Sequence, residues 1–372
     1  MGSQSTIMPQ TELRKALGQR GGESAFRCYQ CATCSSVCEL APEGAPFPRR
    51  QMLWAQWGLA DKLEKDPAIW LCHQCNDCST RCPRDAKPGD VMQTLRSLMV
   101  QNLSAPKFLG KLVGNARVTW PLLIGLPFVF WVVFIYAVNG FYVPQMQMIN
   151  GDMTFAWHDL VPHWMIYVTY VPTTLWVVIA MGFGASRYWK SMGEGVTRNG
   201  SFMSHLIPTV VEIMTHKRFA KCGETASRKT PHLLFVWGFI GAAFTTGVIV
   251  IAMYGFNTAL PIPLTNWMKV VGNISAVLLI VGGLMLFFNR LGGEGAGKST
   301  AFDNFFLFVA VMVGITGTLT EVGRFVLDPL VASWVYVSHL SFILILFATF
   351  PYCKFAHIVY RTVAMVHERA VQ

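Results

Sequence analysis

The sequence predicts an all-α protein in two parts: a small cysteine-rich head over residues 1–117 and a six-helix transmembrane bundle over residues 118–372. Three observations carry this. The composition of the 372 residues changes near residue 117, from polar to overwhelmingly apolar. Eight of the ten cysteines fall between residues 28 and 82, in two copies of one spacing. Six apolar runs of membrane-spanning length follow.

The head holds no apolar run long enough for a signal peptide or a membrane helix, which places it in the cytoplasm. Cysteines in a reducing compartment serve metals more readily than disulfides. Cys28, Cys31, Cys34 and Cys38 form C-x2-C-x2-C-x3-C, and Cys72, Cys75, Cys78 and Cys82 repeat it before Pro83. Three thiolates at this spacing wrap three corners of a cubane, and the fourth is directed to the other cluster. The expected sets for two 4Fe-4S clusters are therefore Cys28, Cys31, Cys34 and Cys82 for one, and Cys72, Cys75, Cys78 and Cys38 for the other. A pair of zinc sites needs two ligand pairs per metal and leaves the third spacing unexplained. Glu39 stands where the second motif has Pro83 and removes no ligand. Between the motifs, Pro48-Arg49-Arg50 precedes an apolar helical stretch from Met52 to Leu63. Arg49 and Arg50 either raise a cluster potential or lie on a solvated surface, and His73 is a cluster neighbour or a surface residue.

The apolar segments lie near residues 120–141, 163–186, 233–256, 267–289, 304–327 and 332–358. An amino terminus inside puts both ends in the cytoplasm. Eight cations from Arg187 to Lys229 fall on that side, as do Arg290, Lys298, Lys354, Arg361 and Arg369, against only Lys269 and Arg324 opposite. The net charge of +10 is thus explained by cytoplasmic loops, and no nucleic-acid partner is expected. Residues Phe202 to Phe219 have apolar positions at helical spacing and should lie at the interface, packed against the head. Gly292 to Ser299 satisfies the pattern of a phosphate-binding loop, but joins two membrane spans and lacks the strand that such a loop requires. Cys222 and Cys353 have no cysteine neighbours at ligand spacing and read as inert.

Histidines inside a membrane segment point to function. His339 and His357 are eighteen residues apart, which on one continuous helix puts them on one face about 27 Å apart. That suits one or two haems stacked across the bilayer, held by side chains from facing helices. His232 opens the third segment and is the expected partner of His357. His163, with His158 behind it, is the expected partner of His339. His205 is a second candidate at the inner haem, whereas His216 and His367 read as surface residues.

At the outer ends of the spans, Lys269, Glu321, Arg324 and Asp328 gather. An ionisable side chain at depth costs about 2.5–3.5 kcal/mol, so Glu321 with Arg324 one turn later is a quinone site or a self-neutralising pair. Lys269, Glu321 and Arg324 are the candidate catalytic residues.

Together these residues carry a resemblance. The doubled motif with Pro48-Arg49-Arg50 between its copies resembles the iron-sulfur subunit of heterodisulfide reductase. From about residue 118 the chain is similar to that enzyme's membrane cytochrome b and to the gamma subunit of respiratory nitrate reductase. The fusion resembles the C subunits of quinone-interacting membrane-bound oxidoreductase complexes. In the nitrate reductase gamma pattern the last helix bears two histidines, matched by His339 and His357, and an earlier helix bears two more. His232 matches the first of those, and Ala242 stands at the second. The resemblance implies an α-helical ferredoxin fold for the head, haem b in the bundle, electron exchange with quinone, cytoplasmic flavoprotein partners and a link to adenylylsulfate reductase in sulfur metabolism. The alternative is a membrane anchor for a dehydrogenase complex without quinone chemistry of its own, which has no use for paired histidines in its helices.

Overall fold

The computed structural model describes residues 8–41, 46–149, 151–215, 229–258, 260–291 and 300–371. The head consists of α1 (Thr11–Gln19), α2 (Thr33–Ser36), α3 (Arg49–Trp57), α4 (Ala60–Glu64), α5 (Ala68–Leu71), α6 (Asp77–Thr80) and α7 (Pro88–Leu103). A short α8 (Lys107–Gly114) leads into α9 (Ala116–Asn139). A two-stranded ribbon of β1 (Gln147–Ile149) and β2 (Asp152–Thr154) follows, with Met148 opposite Met153. Then come α10 (His163–Met192), α11 (Phe202–Thr215), α12 (Lys229–Gly255), α13 (Trp267–Leu291), α14 (Ala301–Val326), α15 (Pro329–Thr349) and α16 (His357–Val371). The fold is all-α apart from the ribbon, and six helices (α9, α10 and α12–α15) are long and apolar enough to cross a membrane.

Two expectations about helix continuity are corrected. The stretch from Met52 to Leu63 is two helices, because Gly58 has φ +70° and a Cβ there would lie 2.6 Å from the Gln10 carbonyl oxygen. The last apolar segment, expected to run from 332 to 358, stops at Thr349. Pro351 has no amide hydrogen to continue the ladder, and two 3₁₀ turns, Phe350–Tyr352 and Lys354–Ala356, redirect the chain into α16. His339 and His357 therefore stand on different helices, and the one-face argument from a five-turn separation does not hold.

The head is seated on one end of the bundle through a shared core. Leu17, Met52, Val91 and Met99 of the head are buried in one cluster with Met181, Tyr188 and Met192 of α10, Phe302 of α14 and Tyr360 of α16. Trp70 is the hub, with its ring 5.3 Å from Tyr360 and 6.5 Å from Tyr188. Burial of each such side chain contributes about 1.5–3 kcal/mol. Tyr188 donates to the Asp66 carbonyl at 3.2 Å, Tyr352 donates to the Ala105 carbonyl at 2.8 Å, and Lys65 pairs with Glu194. Gly184 permits this contact, since any side chain there would run into Tyr360 and the Leu103 carbonyl.

The interfacial helix forms as α11. It packs on α16, with Glu212 ion-paired to Arg369 at 2.5 Å, and its Ile213 lies against the core that the head shares with the bundle. His367, expected on the surface, is instead 5 % exposed between these elements, where it accepts a hydrogen bond from Arg198 at 3.0 Å. The loop pattern at 292–299, His216, Cys222 and the cations from Lys217 to Arg228 lie outside the described residues. Cys353 is buried in the bundle core.

Candidate redox sites

The two cysteine motifs adopt the same backbone. Gln30 and Ala32 after Cys28, and Gln74 and Asn76 after Cys72, all have positive φ, between 55° and 71°. That left-handed pair turns successive amides toward the thiols: the Gln30 amide meets Cys28 Sγ at 3.4 Å and the Gln74 amide meets Cys72 Sγ at 3.3 Å. Neither pair contains glycine, so the strain of a left-handed turn is kept in both copies.

The eight thiols surround two cavities. One, of about 330 Å³, is lined by Cys28, Cys31, Cys34 and Cys82, with Arg49 and Arg84 at its rim. The other, of about 380 Å³, is lined by Cys38, Cys72, Cys75 and Cys78. These are the sets expected from the spacing. Burial, followed by repulsion from neighbouring thiolates, pushes Cys34 up to about 11, and burial pushes Cys38 up to about 11. A bound cation reverses that preference by taking the thiolate form.

The second cavity faces the bundle. Arg96 donates to the Cys72 carbonyl at 2.5 Å, and Arg361 of α16 donates to the same carbonyl at 3.3 Å. Arg361 also lies 2.8 Å from a ring nitrogen of His73, so His73 joins the head to α16 rather than lying on an open surface. Beyond these side chains lies a junction cavity of about 460 Å³, lined by Trp70, Gln93, Arg96, Asp303, Lys354, His357 and Arg361 among others. Asp303 is buried there, ion-paired to Lys354 at 2.6 Å and hydrogen-bonded by Gln93. No periodicity in the sequence signals this junction, because it depends on which faces of α7, α14 and α16 meet.

At the far end of the bundle, Lys269, Glu321 and Arg324 come together with His158 and His163 around a cavity of about 600 Å³. Glu321 Oε2 accepts from Lys269 at 2.6 Å, while Arg324 stands 3.9 Å from Oε1. The tighter partner is thus the lysine of the neighbouring helix, not the arginine one turn along. Arg324 is 4 % exposed and reaches the Ile262 carbonyl only at 3.5 Å. Among the described residues Glu321 Oε1 and Arg324 Nε are buried with no hydrogen-bond partner. Each such atom costs about 1–3 kcal/mol or more, an arrangement suited to a polar ligand. The ribbon roofs this end, with Thr154 donating to the Arg324 carbonyl at 3.1 Å. Asp328, expected in this group, instead caps α15 by accepting from the Leu330 amide at 2.9 Å.

Two histidines are held in the form that ligates metal. His357 Nδ1 lies 2.5 Å from the Lys354 carbonyl, which can only accept, so Nδ1 carries the hydrogen and Nε2 the lone pair. Burial pushes its imidazole down to about 3, which keeps it neutral. His339 Nδ1 lies 3.1 Å from Thr316 Oγ1, whose own hydrogen goes to the Met312 carbonyl at 2.6 Å, so the same tautomer follows. Gly317 makes room for that ring: a Cβ there would come within 2.9 Å of His339 Cε1. His232 shares a face of α12 with Phe239, two turns on, and Phe239 packs 4.7 Å from Phe355, two residues before His357. His163 shares a face of α10 with Tyr170, two turns on, and Tyr170 donates to the Leu340 carbonyl beside His339 at 2.6 Å. His205 is turned to its own loop, with Nε2 2.8 Å from the Asn199 carbonyl.

These two thiol-ringed cavities coincide with a known family: residues 24–86 match the 4Fe-4S dicluster domain. A protein of Archaeoglobus profundus, named for its likeness to the heterodisulfide reductase C subunit, is 37% identical over 97 residues, 25% of this chain and 52% of that protein. The C subunit of the H(2):CoB-CoM heterodisulfide,ferredoxin reductase of Methanothermobacter thermautotrophicus is 38% identical over 89 residues, 23% of this chain and 46% of that protein. The chain thus spans about half the length of these relatives, all within the dicluster domain and its flanks. Citrate utilization protein B of Escherichia coli is similar along most of the chain, 23% identical over 356 residues, 91% of this chain and 88% of that protein. No solved structure matches the chain. The dicluster domain supports an iron-sulfur electron-transfer role within an oxidoreductase of several subunits.

Proposed function

We propose that the chain exchanges electrons between the membrane quinone pool and soluble partners, with residues 118–372 as a haem b bundle and residues 1–117 as the cytoplasmic outlet. The observation that carries this is the pair of buried polar atoms without hydrogen-bond partners, Glu321 Oε1 and Arg324 Nε, in the far cavity, at the opposite end of the bundle from the thiol-ringed cavities. A quinone head group meets that need. Its carbonyl accepts from Arg324 or Lys269, and the hydroxyl of the reduced form donates to Glu321 Oε1, which then takes the proton.

His357 with His232 on the head side, and His339 with His163 on the far side, are the proposed haem ligands. The clusters and haem supply one-electron chemistry when bound. The chain's residues hold the imidazole tautomers, receive the quinol proton and seal the second thiol cavity against the bundle. Flavoprotein subunits in the cytoplasm are the proposed partners, and the resemblance to quinone-interacting oxidoreductase C subunits supports a link to adenylylsulfate reductase in sulfur metabolism.

The test is anaerobic addition of a quinol analogue to the purified full chain. The expected result is b-type absorption and paramagnetic cluster signals appearing together. His232→Ala and His357→Ala should remove one and the same low-spin b signal, and His163→Ala the other. Stoichiometric zinc, or a chain that quinol cannot reduce, would contradict the reading.

A further inference from the structure

The two cysteine motifs are copies, and the second shows what a docked copy looks like. The residue after the first cysteine is His73 in the second copy and Tyr29 in the first, and the left-handed pairs that follow, Gln74 with Asn76 and Gln30 with Ala32, give both the same local backbone. His73 lies 2.8 Å from Arg361 of α16, so in the second copy this position joins the motif to the bundle. Tyr29 also meets an arginine, but one of the head itself. Arg84 stacks 4.0 Å over the Tyr29 ring and donates to its hydroxyl at 3.0 Å. That pair stands at the surface, with Tyr29 69 % exposed. The first copy thus presents to solvent the position that the second uses for docking.

The charge around that position identifies what covers it. Segments 26–36 and 81–88 carry all four thiols of the first cavity, and with them Arg27, Arg81, Arg84 and Lys87 against one carboxylate, Asp85. Asp85 is shared between Arg27 at 3.3 Å and Lys87 at 3.4 Å, so the cations remain in excess. The next carboxylates along the chain, Glu23 and Glu39, lie outside both segments. A second stack of the same kind stands nearby in sequence, with Arg14 5.1 Å over the ring of Phe26, which is 40 % exposed. Cys31 is exposed as well, which brings the first cavity to the surface beside these rings. Exposed aromatic rings and arginines are the groups that protein interfaces concentrate at their centres, and an excess of cations steers an anionic surface onto them. We propose that Phe26, Arg27, Tyr29 and Arg84 dock an electron-carrier protein whose redox group is ringed by carboxylates, with Cys31 at the point where the electron leaves. The proposal rests on the reading of the first cluster as the outlet. Each transfer oxidises that cluster by one electron and reduces the carrier by one.

The experiment uses the full-length protein in nanodiscs of zwitterionic lipid. The probe is a flavodoxin, a small flavoprotein with an acidic surface around its flavin, and cationic cytochrome c is the probe of opposite charge. Binding of each oxidised probe is measured first, and then the rate at which the dithionite-reduced chain passes an electron to it, so quinone takes no part. Raising the salt from about 0.02 M to about 0.2 M should weaken flavodoxin binding and slow the transfer about tenfold. At low salt R84E should weaken flavodoxin binding about tenfold, and Y29A should weaken it about threefold at either salt, with cluster iron unchanged in both. K107E changes the net charge equally at the start of α8 and should leave binding at the wild-type level. If R84E loses cluster iron, R84Q takes its place, with about a threefold loss expected. Equal effects of R84E and K107E would overturn the docking patch, as would wild-type binding by Y29A or tighter binding of cytochrome c than of flavodoxin. A wild-type chain that holds no first cluster is a different result: it overturns the outlet reading, and the docking with it.

Discussion

The two cysteine motifs have the same backbone but unlike surroundings. Both place two left-handed residues between their first and third thiols. The first opens to solvent: Cys31 is exposed, and Arg84 stacks 4.0 Å over the exposed ring of Tyr29 at the cavity rim. The second is closed against the bundle, with Cys72 buried, its carbonyl gripped by Arg96 and Arg361, and His73 reaching α16. A local repeat thus sets what the sites can bind, and tertiary contact sets their order. In the proposed path the second cluster stands between the bundle and the first, and the first faces the soluble partner.

The largest expected effect comes from removing one site. Cys75→Ser should lose about four of the about eight iron and eight sulfide atoms held by the clusters, with haem iron unchanged, and Cys31→Ser about the same number, as read by iron, sulfide and haem analysis. Equal losses would sharpen the comparison, because the two variants then differ only in position. Next, Glu321→Gln should slow quinol-driven reduction of both clusters by about a hundredfold and leave haem content unchanged. An unchanged rate would remove the far cavity from the path.

A change at the seat of the second motif should follow in size. Trp70→Ala should destabilise the docked head by about 3–5 kcal/mol, measured by denaturant unfolding of the head signal, because Trp70 joins α5 to Tyr188 and Tyr360. The smallest effect is expected from pH. Burial, then the Arg198 charge, pushes His367 down to about 4, so it stays neutral in the fold. Once exposed it binds a proton below about 6.5. The stability it contributes is therefore full above that value and is lost as pH falls toward 4. Hydrogen exchange in α16 should quicken on acidification over that window in the wild type and change less in His367→Gln.

What was legible in the sequence follows the range of the interactions. The thiol grouping was legible because the spacing of Cys28 to Cys38 and Cys72 to Cys82 fixes local geometry. The six spans were legible from hydropathy, and the meeting of Lys269, Glu321 and Arg324 from their common place at helix ends. The break at Pro351 was written in the chain but hidden by the mostly apolar residues on either side of it, from Ile345 to Cys353. The burial of His367 and the convergence of Arg96 and Arg361 on Cys72 were not legible. Both depend on how α7, α11 and α16 pack, and a short amphipathic helix does not declare which neighbour its face will meet.

The order of the two clusters is tested most directly by anaerobic quinol reduction of the Cys75→Ser and Cys31→Ser variants, followed by electron paramagnetic resonance. With the second cluster removed, quinol should no longer reduce the first, although dithionite still does. With the first removed, quinol should reduce the second at the wild-type rate. Reduction of the first cluster by quinol at the wild-type rate in Cys75→Ser would contradict the order and the path built on it.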